Sequence, residues 1–185
     1  MTPTEENQIV GRVLHGEREA FAALVDAYKG AIFNLAFRMT DSHQDADDLS
    51  QETFIRAYRN LRQFDPQKRF FTWIYTIGLN LIRNHLKKHG REMARENTAL
   101  SSSEAGIDQG AQTERDMIQA QEIRRLEICL QMLPADLREA VVLRFFQDLS
   151  FEEIATISAA SLSAVKMRVY RGLDQLKQLM NKQEK

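Results

Sequence analysis

Apolar side chains in this 185-residue chain recur at intervals of three and four rather than two, and only eight Gly and three Pro interrupt them. A spacing near 3.6 draws an apolar stripe along a helix, whereas a half-buried strand requires strict alternation. The chain is therefore read as all-α, with helices expected at 5–14, 18–39, 44–61, 70–89, 113–132, 135–146, 151–157 and 162–181. Pro66 falls in a connector, and Pro134 suits a first helical position, where its missing N–H costs nothing. Between Glu96 and Gly110 the chain is polar and aperiodic, with Ser101-Ser102-Ser103 at its centre. Such composition marks a flexible linker. The expected organisation is two small helical domains, at 1–93 and 121–185, joined by an acidic linker at 94–120.

Several classes of function fall away early. One cysteine, Cys129, can form neither an internal disulfide nor a Cys-rich zinc site, and its place on an amphipathic helix suits packing. The acidic opening Met1-Thr2-Pro3-Thr4-Glu5-Glu6 is unlike a secretory signal. Unbroken apolar runs such as Ala140–Leu143 are short, so no direct membrane insertion is expected, and the protein reads as cytoplasmic.

The formal net charge of −1 argues against nucleic acid only until it is divided along the chain. Residues 61–96 hold eight basic side chains against three acidic ones, and residues 163–185 hold six against two. Residues 1–60 and 97–122 each carry a net −4. Two basic segments are thus concealed by acidic ones.

The second basic segment follows a short helix opened by Ser150-Phe151-Glu152-Glu153, a capping box in which hydroxyl and carboxylate each satisfy the other residue's amide. After Ser158-Ala159-Ala160-Ser161 a longer helix begins near Leu162, with Ser161 suited to its N-cap, which makes a helix-turn-helix pattern. On the longer helix Val165, Val169, Leu173 and Leu176 form an apolar stripe with Gly172 beside it. Ser163, Lys166, Met167, Tyr170 and Arg171 occupy the opposite side, with Arg168 on the flank. Such a face can meet base edges and phosphates in a major groove.

The first basic segment lies on the helix opening Phe70-Phe71-Thr72-Trp73-Ile74-Tyr75. Asn80, Arg83, Asn84, Lys87 and Lys88 share one polar face of it, while Ile74, Ile77 and Leu81 are expected elsewhere. Amides read base edges, cations neutralise phosphates, and an aromatic ring such as Trp73 receives an unstacked base. Phe70, Phe71 and most of the neighbouring rings suit the core. The loop 63–69, with Lys68 and Arg69, is placed to reach a flipped base. On the preceding helix Ala46, Thr53, Phe54, Ala57 and Leu61 form the apolar stripe, opposite Asp48, Gln51, Glu52, Ile55 and Arg59. Ile55 on that charged face hints at a protein interface.

Catalysis and metal binding find little support. Asp45–Glu52 lacks the Gly and terminal Glu of an EF-hand. His85 and His89 are four apart and can chelate, but Leu86 breaks the HExxH pattern and the sequence offers no evident third ligand. No nucleophile–base set and no Gly-rich phosphate loop is present, so neither an enzyme, a metal nor a cofactor is expected.

These segments in this order resemble an RNA polymerase sigma factor of the extracytoplasmic-function (ECF) type along nearly the whole chain. Phe21–Tyr28 and Asp45–Tyr58 resemble regions 2.1 and 2.2, and Phe70–Asn80 resembles regions 2.3 and 2.4. Leu133–Arg138, Leu149–Ala155 and Val165–Arg168 resemble region 4. The resemblance implies a promoter-specificity subunit serving a stress or envelope-response regulon. Asp48, Gln51, Glu52, Ile55 and Arg59 would contact the β′ coiled coil of core polymerase, and the C-terminal domain the β flap. Lys68, Arg69, Trp73, Asn80, Arg83, Asn84, Lys87 and Lys88 would capture and melt the −10 element. Ser163, Lys166, Met167, Arg168, Tyr170 and Arg171 would read the −35 element of promoter DNA. A cognate anti-sigma factor, often membrane-anchored, would hold the protein at the inner membrane. The chain departs from the family pattern at Ala159, where Gly is usual, at Ser163-Ala164, where Gly-Thr is usual, and at Met167, where Ser is frequent. A stand-alone helix-turn-helix regulator and a helical adaptor without DNA contact are the competing readings.

Overall fold

The computed structural model describes residues 1–96 and 114–182, and every element among them is a helix. In chain order these are α1 (Pro3–Leu14), α2 (Phe21–Thr40), α3 (His43–Arg59), α4 (Phe70–Glu96), α5 (Glu114–Gln131), α6 (Ala135–Val141), α7 (Phe151–Ser158) and α8 (Leu162–Lys182). Residues 97–113, the centre of the expected linker, lie outside the described residues.

The helix ends follow local chemistry. Thr2 and Glu5 form a capping box on α1 with Pro3 at its first position. Ser42 accepts the Asp45 amide at the start of α3, just after Asp41 turns the chain in the left-handed region at φ 57°. Pro134 stands immediately before α6, where its carbonyl accepts the Leu137 and Arg138 amides, one position earlier than the sequence pattern suggests. The expected helix 135–146 is α6 followed by a wider π turn at Val142–Phe146.

The start of α4 is satisfied from a distant part of the chain. The Phe70 amide at the start of α4 donates to Glu6, 3.0 Å away, and Glu6 lies buried within α1. The same carboxylate accepts the Tyr28 hydroxyl of α2. One buried acid thus joins three helices.

In the N-terminal unit α2 packs against α3 and α4 around Leu24, Ile32, Leu35, Met39, Phe54, Ile74, Leu79 and Ile82. By length and hydropathy alone 18–40 could cross a membrane, although no long unbroken apolar run occurs in it. Here its Leu24, Ile32, Leu35, Ala36 and Met39 fill the core, while Asp26 and Lys29 pair on its exposed side.

In the C-terminal unit Leu143, Ile154, Ile157, Val165 and Val169 join α6, the π turn, α7 and α8. A smaller cluster of Cys129, Leu130, Leu133, Val141 and Leu176 ties α5 to them, with Cys129 fully buried as expected. Gly172 lets α8 approach α6, since a Cβ there would stand 2.6 Å from Val141 Cγ2 and 3.2 Å from the Leu137 carbonyl. The two units share one continuous apolar core. Polar contacts reinforce this: Tyr75 donates to Gln147 at 2.6 Å, and Gln131 donates to the Arg38 carbonyl at 2.9 Å.

Candidate nucleic-acid interface

The C-terminal surface is built from the α7–α8 pair. Ser150 and Glu153 complete their capping box, and Ser161 accepts the Ala164 amide at 3.2 Å to start α8. Ala159 closes α7 in the left-handed conformation at φ 51°, so the turn keeps the geometry for which glycine is favoured. A side chain there costs about 1 kcal/mol relative to glycine. Val165, Val169, Gly172 and Leu176 are buried, which turns Ser163, Lys166, Met167, Tyr170 and Arg171 outward. Tyr170 is 62% exposed and Met167 45%, large for side chains with so much apolar area. Lys166 lies over the Phe151 ring at 5.7 Å, which steadies it at the junction of the two helices. Arg168 turns aside to Asp136 at 3.8 Å and leaves this face.

The N-terminal surface is divided. Asn80 and Asn84 open into a groove of about 310 Å3 shared with Trp73, Ile77 and Leu81 of α4 and with Arg56, Asn60 and Gln63. Ile77 and Leu81 therefore border the same groove as the two amides, contrary to the helical-wheel expectation that they face elsewhere. Trp73 is half-buried, its ring 5.4 Å from Phe64 and 5.6 Å from Phe70, so it forms a wall of the groove rather than a free platform. Arg56, Asn60 and Gln63 were not singled out in the sequence, although their spacing of four and three runs along the end of α3 into the following turn.

Arg83 and Lys87 point to the other side, into a cleft of about 570 Å3 between the units that Asp136, Glu139 and Arg168 also line. Arg83 makes a bidentate pair with buried Glu139 at 2.7 and 2.8 Å and reaches the Ser158 carbonyl. Arg69 pairs with Glu153 at 2.8 Å, while the second Glu153 oxygen caps α7. Lys68, Lys87 and Lys88 are exposed. Two of the cations expected at the −10 element are thus held by acids of the C-terminal unit.

The loop 63–69 is positioned from outside its own sequence. Asn7 of α1 donates to the Pro66 carbonyl at 2.9 Å, and Glu6 holds the Phe70 amide where the loop ends. Burial and the Glu6 carboxylate push the Tyr28 hydroxyl well above its ordinary pKa, and burial does the same to Tyr75. Both therefore remain hydrogen-bond donors at neutral pH. No sequence spacing links Glu6 to Phe70, which lie 64 positions apart.

On α3, Asp48, Gln51, Ile55 and Arg59 are exposed and Glu52 is half-exposed. Ile55 is 43% and neighbouring Tyr58 39% exposed, which makes an acidic surface with apolar side chains on it. At the other end of the helix Asp45 comes within 3.5 Å of His85 on α4, a third donor beside the His85–His89 pair that the sequence alone did not identify.

The family described as Sigma-70 region 2 matches residues 24–92, and Sigma-70, region 4 matches residues 123–176. RNA polymerase sigma-H factor of Pseudomonas aeruginosa is 34% identical over 176 residues, covering 92% of this chain and 91% of that protein. The ECF sigma factor SigW of Bacillus subtilis is 32% identical over 174 residues, covering 91% and 92% respectively. Among solved structures, the sigma factor RpoE in complex with the anti-sigma factor NepR from Bartonella quintana is similar at TM-score 0.72 and 25% identity, covering 87% of this chain and 96% of that one. CnrH in complex with the cytosolic domain of CnrY is similar at TM-score 0.70 and 25% identity, covering 96% and 97%.

Proposed function

Since the chain belongs to the ECF sigma factors of the sigma-70 family, promoter-specific initiation subunits rather than enzymes, we propose how its surfaces divide that work. The exposed face of α8 reads the −35 element, with Lys166 and Arg171 as the main cationic contacts and Ser163, Met167 and Tyr170 completing the surface. The groove of Trp73, Asn80 and Asn84, extended by Arg56, Asn60 and Gln63, takes an unstacked base of the −10 element, with Lys68 and Lys88 along the backbone and Lys87, which lines the cleft between the units, joining them once the units separate. Asp48, Gln51, Glu52, Ile55 and Arg59 dock core polymerase. The observation that carries this reading is the outward face of α8: its apolar stripe is buried while every residue expected to meet DNA except Arg168 is exposed.

Arg69 and Arg83 are engaged by Glu153 and Glu139, so the described arrangement is one in which the −10 surface is incompletely available. The protein switches to a promoter-binding form when core polymerase separates the units. The two similar structures, one a sigma factor with the anti-sigma factor NepR and the other CnrH with the cytosolic domain of CnrY, match most of this chain. That supports a cognate anti-sigma factor as the partner holding this form in the cytoplasm, with a stress or envelope-response regulon as the output. The test is reconstitution: with core polymerase the protein directs specific run-off transcription from genomic fragments, and alone it binds the same promoters weakly. Tight, specific duplex binding without polymerase would instead establish a stand-alone regulator, and failure to bind core polymerase would remove the docking assignment.

A further inference from the structure

Packing of α3 on α4 brings a carboxylate of α3, Asp45, beside two imidazoles of α4, His85 and His89, that lie far from it in sequence. Asp45 lies in the first turn of α3, with its amide held by Ser42 at 3.1 Å. His85 and His89 lie one turn apart on α4, a spacing that puts both imidazoles on one helix face. Their ring centroids are 4.3 Å apart, and His85 Nε2 is 3.5 Å from Asp45 Oδ2. One ligand atom from each of the three lies within 4.8 Å of the others.

We propose that Asp45, His85 and His89 bind one divalent transition-metal ion of the zinc class, fastening the start of α3 to the second half of α4. Bonds of about 2.0–2.1 Å in a tetrahedral shell place ligand atoms roughly 3.3 Å apart. The Asp45–His85 pair already stands near that separation. His89 is exposed, so its side chain can rotate to close the remaining distance without disturbing packed neighbours. Two imidazoles and one carboxylate supply three donors, and a water completes the shell. The carboxylate compensates half of the ion's charge, which two neutral imidazoles alone would not.

The site lies on a functionally placed joint. Asp45 precedes the α3 surface of Asp48, Glu52 and Ile55, and His85 follows Asn84 of the α4 groove. An ion here stiffens the angle between these two helices. Its effect on initiation rests on the proposed function, whereas ion binding by the protein alone does not.

The test uses the full chain stripped with chelator and titrated with Zn2+ by calorimetry and with Co2+ by visible absorption. The expected result is one ion per chain, tetrahedral Co2+ bands, and a rise in Tm on adding Zn2+, because a ligand bound only to the folded state stabilises it by mass action. Removing even a group that merely orients a ligand commonly lowers metal affinity 10–100-fold, so His89→Ala, at an exposed position, should lower it by at least ~100-fold and abolish the Tm rise. Asp45→Asn should weaken binding, and His15→Ala, remote from the cluster in sequence, should not. No saturable uptake at one ion per chain, or His89→Ala binding like the parent, would overturn the proposal and leave Asp45–His85 as a side-chain contact only.

Discussion

Helices α4 and α8 both carry cations at helical spacing, yet the fold uses them differently. Helix α8 packs along one stripe against α5, α6 and α7 of its own unit and leaves its cationic side open. Helix α4 runs through the centre of the molecule, touching α1, α2, α3 and α7, so its polar residues are divided among different neighbours. Asn80 and Asn84 enter a groove, while Arg83 is taken by Glu139 of α6. A polar stripe on a helix packed along one side is a surface, whereas on a central helix it is a set of separate contacts.

The largest expected effect tests the open side of this contrast. Lys166→Ala combined with Arg171→Ala should lower −35-dependent initiation by roughly 1,000-fold, taking about 2 kcal/mol for each good base or charged contact. Core-polymerase binding should be retained. Loss of core binding in a pull-down would mean that α8 serves a different partner.

The central side is tested by the acid that anchors it. Glu6→Ala strands the Phe70 amide and the Tyr28 hydroxyl in a buried site, and should lower unfolding free energy by about 3 kcal/mol. Glu6→Gln, which retains an acceptor, should restore part of that loss in the same denaturant titration. Equal stability of Glu6→Ala and the parent would show that the loop and α4 are held by other contacts.

A smaller effect is expected at the joint between the two regions. Arg83 is about a third exposed while Glu139 is buried, so breaking the pair is discounted to about 1 kcal/mol of interdomain stabilisation. Arg83→Ala should shift the protein toward a more extended form in small-angle scattering, with each unit still folded by hydrogen exchange. An unchanged radius of gyration would assign the closed form to the apolar contact alone.

The smallest change concerns the turn that presents α8. Ala159→Gly relieves a left-handed alanine and should raise stability by about 1 kcal/mol or less, since the added freedom of the unfolded glycine offsets part of the gain. A loss of stability would place the dominant contribution in the unfolded chain.

Much of the architecture could be read before any coordinates. The stripe Val165, Val169, Leu173 and Leu176 locates the inner side of α8, and the Ser150–Glu153 capping box locates the start of α7, because both signals are local. The groove was legible in part: Asn80, Asn84 and Trp73 stood out by residue type, but Arg56, Asn60 and Gln63 acquire meaning only when α3 is laid beside α4. Nothing in the sequence marks Arg83 and Arg69 as paired, because their partners, Glu139 and Glu153, are 56 and 84 positions away.

The sequence by itself determined the helical class, the start of α7, the inner stripe of α8, the two basic segments and the family to which they belong. All of these arise from periodicity, capping and residue order, which act over a few positions. Only the tertiary structure decided that Glu6 caps α4, that Asp45 meets His85, and that two cations are neutralised across the interface between the units. Each depends on close approach of side chains carried by different helices. Charge and hydrogen-bonding capacity are written in the residue, but their partners are chosen by how the helices pack.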